Sequence, residues 1–104
     1  MRFEWDGKKA ETDKEGYYAS IRELIQRVVR VQSGIVPTKG RVVVQFTINP
    51  EGRLQGSPRI LEAQEESLKP QAEQAVLVAS NSFAPFPSHF GEEPRTFVVP
   101  LSYE

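Results

Sequence analysis

Between residues 17 and 31 apolar side chains recur at spacings of three and four, at Tyr17 or Tyr18, Ile21, Leu24, Ile25 and Val28. That period predicts an amphipathic helix of about three to four turns. Ser33-Gly34 and then Pro37 supply a stop, so the helix is expected to end near Val31. Its other face carries Arg22, Glu23, Gln26, Arg27 and Arg30 and reads as a solvated surface. Upstream, residues 1–16 place Met1, Phe3 and Trp5 ahead of a mostly charged run ending at Gly16. They are expected to form a short strand or tail and then a linker, leaving 17–104 as the domain.

From Gly40 the period changes to two. In RVVVQFTI, Val42, Val44, Phe46 and Ile48 fall on one face and Arg41, Val43, Gln45 and Thr47 on the other, which predicts a strand. Asn49-Pro50-Glu51-Gly52 then reverses the chain: Pro presets φ at the second position and Gly accepts positive φ at the fourth. The return strand is expected over 53–61, bent by Gly56 and Pro58, with Leu54 and Ile60 inward. Ser67 can cap a second helix that tolerates Pro70 in its first turn and buries Leu68, Ala72, Ala75, Val76, Ala79 and Phe83. Glu62, Glu65 and Glu66 precede it and read as charges favoured by its dipole rather than as an acid–base pair. After the rigid segment Phe83-Ala84-Pro85-Phe86-Pro87 and a loop holding His89, a last strand over 94–103 points Phe97, Val99, Leu101 and Tyr103 inward.

Helix, hairpin, helix and strand make an α+β fold, with two helices packed on one face of a three-stranded antiparallel sheet. Proline has no amide to donate and is confined to edges or bulges. Pro58 and Pro100 therefore mark the second and third strands as edges, which gives the order 2-1-3. If Pro100 faces outward, the amides of Thr96, Val98 and Ser102 do so too, and they form a rail to which a partner's strand can add.

Composition narrows the function classes. A chain of 104 residues suits one domain. Thirteen Lys and Arg against fourteen Asp and Glu leave no basic excess for general nucleic-acid binding. No run is apolar enough for a membrane span or a secretory signal. With no Cys and one His, disulfides, thiol catalysis and a multi-His metal centre are excluded, and no cofactor or metal is expected.

In their order and spacing, YYASIRELIQRVV, GRVVVQFTINPEGRL, LKPQAEQAVLVAS, FAPFP and FVVPLSY resemble the carboxy-terminal domain of the TonB and TolA energy transducers, over residues 17–104. The resemblance implies a non-enzymatic periplasmic adaptor whose last strand pairs with an extended peptide of an outer-membrane or periplasmic protein. Force would come from an inner-membrane motor through amino-terminal regions that this chain lacks. Carried over, the partner contacts are Arg95, Thr96, Phe97, Val98, Val99, Pro100, Leu101 and Ser102. The family's membrane anchor, proline-rich spacer and Tyr-Pro motif are not matched, since Tyr17-Tyr18-Ala19 lacks the Pro. The chain is therefore expected to be a fragment of a longer transducer, a stand-alone relative or an accessory domain of another envelope machine.

Two other readings compete. One is a structural module that dimerises through the same edge, or pairs it in cis with the strand-like Phe3 and Trp5. The other is a small ribonuclease toxin, because the ten residues RFEWDGKKAE resemble the start of toxins from some bacterial toxin–antitoxin pairs; the balanced charge, the lack of a downstream His or basic cluster and the far longer competing resemblance oppose it.

Overall fold

The computed structural model describes the backbone of residues 2–104 and the side chains of residues 16–104. Helix α1 spans Arg2–Ser33, β1 Gly40–Ile48, β2 Leu54–Ala63, α2 Leu68–Ser80 and β3 Arg95–Tyr103, with one 3-10 turn at Ser88–Phe90. The strands form one antiparallel sheet in the order β2-β1-β3, the order that the two prolines require. Both helices cover one face of it.

The residues of period two behave as their alternation demands. Val42, Val44, Phe46 and Ile48 of β1 and Val99, Leu101 and Tyr103 of β3 are buried beneath the helices. Helix α1 answers with Tyr17, Ile21, Ile25 and Val29, each four residues from the last, and Leu24 and Val28 pack at the margin. Helix α2 contributes Leu68, Ala72, Ala75, Val76 and Ala79, and its three alanines let its backbone lie close on the sheet.

Three local expectations need correction. The helix starts at Arg2, not near Tyr17, and runs through the 16/17 boundary where a strand or tail and a linker were expected. Residues 2–16 are rich in Glu and Lys, which favour a helix, and contain no Pro, with Gly7 the one weak helix former inside the run before Gly16. Once packing fixes the helix from Tyr17, extending it needs no new nucleus. The side chains of Phe3 and Trp5, proposed to pair with an edge, lie outside the described residues.

Ser67 does not cap α2 with its side chain. It sits in the right-handed helical region as part of the preceding turn, and its hydroxyl lies 3.3 Å from Thr38 Oγ1 instead. Pro70 has no amide to cap, and the N–H groups of Leu68 and Lys69 are taken by the carbonyls of Glu65 and Glu66. Glu65 and Glu66 thus lie in the turn before α2, and Glu62 lies on β2, so none of the three stands in the first helical turn. Finally, β2 reaches Ala63 and its register against β1 jumps twice. Gln45 faces Arg59 while Thr47 faces Gln55, so a bulge carrying Gly56, at φ 79°, and the buried Pro58 lies opposite Phe46.

The turn at Asn49–Gly52 forms as expected. Asn49 Oδ1 accepts from the amides of Glu51 (3.1 Å) and Arg53 (2.9 Å), and Gly52 takes φ 87°. The proline and aromatic segment is tied to this turn, since the Phe86 amide donates to the Pro50 carbonyl at 2.9 Å and the Tyr17 hydroxyl donates to the Ala84 carbonyl at 2.6 Å. Tyr17 meets Phe86 and Phe90 edge-on, with both ring centroids 5.4 Å away, so one helix residue anchors the loop that leads into β3.

Candidate partner-binding edge

Strand β3 pairs with β1 in unbroken register from Gly40↔Tyr103 to Ile48↔Arg95. Backbone polar groups alternate sides along a strand, so every second residue of β3 turns its N–H and C=O away from β1. Contacts from α1 identify which: the carbonyl of Val98 and both the amide and the carbonyl of Ser102 meet side chains of α1. The outward set is therefore Thr96, Val98, Pro100 and Ser102, as the prolyl argument requires.

This geometry sorts the eight predicted contacts. Val99 and Leu101 are fully buried, their backbone groups face β1, and neither offers a partner anything directly. Phe97 is half-buried between Tyr17, Tyr18 and Phe46. Arg95 is tied back: it donates from Nη2 to the Phe90 carbonyl at 2.9 Å, and its guanidinium lies 4.7 Å from the centre of the Phe90 ring. Thr96 shares a hydroxyl hydrogen bond with Thr47 at 2.9 Å on the sheet face away from the helices. Val98 stays 46% exposed, a large apolar side chain open on that same face.

The rail is less open than the sequence suggested. The Tyr18 hydroxyl donates to the Val98 carbonyl at 3.1 Å. Gln26, read from sequence as part of a solvated face, donates from Nε2 to the Ser102 carbonyl at 3.1 Å, and its Oε1 lies 3.5 Å from the Ser102 amide nitrogen. Periodicity had no means of finding Gln26, because polar residues on a helix flank look alike whether they meet water or a strand edge. Beside this seam runs an open groove of about 830 Å³, lined among others by Arg22, Gln26, Arg30, Arg41, Pro100 and Ser102. Glu23 also lines it, and the hydrogen bond and charge of Arg30, followed by those of Arg27, hold its carboxyl below the usual range. Two of the groove's arginines, Arg22 and Arg41, have no ion-pair partner among the described residues.

At the inner end of β3 the Tyr103 hydroxyl donates to Gln32 Oε1 at 2.7 Å, and Gln32 Nε2 donates to the Gln71 carbonyl at 2.9 Å. The last strand is thereby joined to both helices. Burial pushes the Tyr103 hydroxyl up to about 12. Among the described residues no group of three His, Cys, Asp or Glu side chains gathers to hold a metal ion.

No curated protein matches the chain. The chain is similar to the solution structure of the Helicobacter pylori TonB carboxy-terminal domain, at 25% sequence identity and a TM-score of 0.65, over 86% of this chain and 80% of that one. The family model described as TonB C terminal matches residues 14–101. Helix, hairpin, helix and edge strand, the architecture derived above, are thus accompanied by a sequence match over most of the chain, and the protein belongs to the TonB C-terminal family.

Proposed function

We propose that the domain is a non-enzymatic docking adaptor of the bacterial envelope, and that a partner protein adds an extended segment as a fourth strand along the outer edge of β3. The observation that carries this reading is the unpaired edge itself. Thr96, Val98, Pro100 and Ser102 turn their backbone groups away from β1, and among the described residues only side chains reach any of these groups, at the Val98 carbonyl and at Ser102. An edge of this kind binds through main-chain hydrogen bonds, and side-chain contacts beside it set specificity. Family membership supports a protein as the partner. On this reading the partner is an outer-membrane or periplasmic protein, the domain works in the periplasm, and an inner-membrane motor pulls through the junction.

The test is an amide NMR titration of the labelled domain with an octapeptide selected against it from a random display library. Ordering a flexible segment opposes binding, so a dissociation constant around 10⁻⁶–10⁻⁴ M is expected. Shifts should concentrate on Thr96–Ser102 and disappear in a folded Val98→Pro variant, whose lost amide points away from β1. Shifts that avoid β3 would refute the docking role. A concentration-dependent dimer that protects the outward amides would make self-association through this edge the better account.

A further inference from the structure

We infer that α1 presents a side-chain surrogate for the docking strand, and that a partner segment gains full access to β3 only by displacing Tyr18 and Gln26; this rests on the docking role proposed above. A glutamine carboxamide has the donor and acceptor of a peptide group. Gln26 sets both against one residue, with Nε2 donating to the Ser102 carbonyl and Oε1 facing the Ser102 amide, much as the facing residue of an added strand would. Four residues along, towards the amino terminus of α1, is Arg22, and four further is Tyr18, whose hydroxyl takes the Val98 carbonyl.

The match has a metrical cause. Four helical residues advance about 6 Å and two strand residues about 6.6 Å, so a helix row and a strand edge running the same way stay in step. Tyr18, Arg22 and Gln26 consequently stand abreast of Val98, Pro100 and Ser102, and Arg22 and Pro100 line the same groove. Pro100, with no N–H, is the position where the row needs to supply no acceptor. Left without a partner among the described residues are both backbone groups of Thr96, the amide of Val98 and the carbonyl of Pro100. A docking strand therefore starts at the Thr96–Val98 end and extends toward Ser102 as Gln26 swings aside. Until then the row blunts an edge that would otherwise pair with a second copy.

Both side chains hold the seam by hydrogen bonds close to water, whose net worth is small, so removing one competitor shifts affinity by a modest factor. In the free domain, Gln26→Ala should speed amide exchange at Ser102 several-fold and leave Val99 and Leu101 unchanged; an unchanged Ser102 rate overturns the inference. For the selected octapeptide, Gln26→Ala and Tyr18→Phe should each tighten binding roughly three- to tenfold. Tyr18→Phe keeps the ring stacked on Phe97, 6.4 Å between centroids, and removes only the donor. Weaker binding in these variants, with shifts still on β3, would make Tyr18 and Gln26 partner contacts; the surrogate strand then falls while docking stands. Peptide shifts that avoid β3 in every form would refute docking itself, and the displacement step with it.

Discussion

Gly52→Ala offers a sharp test of how the hairpin turn holds the segment that leads into β3. At Gly52 φ is 87°, a conformation that costs an L-residue roughly 1–2 kcal/mol. An added Cβ would also stand 2.6 Å from the Ala84 carbonyl oxygen and 2.9 Å from its carbon, both backbone atoms that no rotamer change can move. The neighbouring chain has little room to retreat, because Ala84 accepts from Tyr17 and Phe86 donates to Pro50. If Ala84 withdraws, the hydrogen bond from Tyr17 is lost as well, for about 1 kcal/mol more. The total is about 2–3 kcal/mol, which for a domain of this size lowers Tm by roughly 8–20 °C. Gly56→Ala is the control: its φ of 79° is as unfavourable, but nothing lies within 4 Å of the added Cβ. It should lose only the backbone part, roughly 1–2 kcal/mol. Urea unfolding of the two variants and the parent measures both losses, and unchanged m-values would show that only native-state stability moved. Equal losses at the two glycines would refute the claim that close approach to Ala84 sets the geometry of this loop.

Further outcomes follow from single residues. Val98→Pro should cost less than about 1 kcal/mol in thermal unfolding, because the amide it removes does not pair with β1, whereas Val99→Pro removes a ladder bond beneath a buried side chain and should cost about 3 kcal/mol or more. Ala75→Leu forces a larger side chain between α2 and the sheet at a fully buried position, and should destabilise by about 1–3 kcal/mol on urea titration. Tyr103 has a folded-state pKa of about 12 against a usual value near 10, so the unfolded chain ionises first: its contribution is complete below pH 10 and is lost as pH rises from 10 to 12. Stability measured across that window should fall, and Tyr103→Phe should flatten part of the fall, with the burial-raised Tyr17 hydroxyl left in place.

Much of the fold was legible in the sequence because a two-residue or 3.6-residue period is itself a statement about which face is buried. Residues 41–48 and 95–103 announce their inner faces by alternation, Asn49–Gly52 carries turn chemistry that works locally, and two prolines settle which strand lies in the middle. What misled was local ambiguity. Residues 2–16 carry no apolar period to announce a helix and read as strand or tail and linker, and only attachment to the packed helix from Tyr17 makes the helical form the continuous one. Ser67 looks like a cap until the preceding turn takes it into helical backbone geometry.

The candidate edge divides in the same way. Which residues of β3 face outward follows from Pro100 and alternation, both properties of the strand alone. How far that edge is open does not, because it depends on the distance and direction between α1 and β3, set by packing of Tyr17, Ile21, Ile25 and Val29 where α1 lies against β3 and α2. That packing brings Tyr18 and Gln26 abreast of Val98 and Ser102. Local periodicity and the missing amide of proline were enough to place the inner faces and the strand order, though not the ends of α1 and β2. That one flank of α1 closes part of the edge is a property of the folded chain, because matching the rise of a helix to the rise of a strand requires the two to lie side by side.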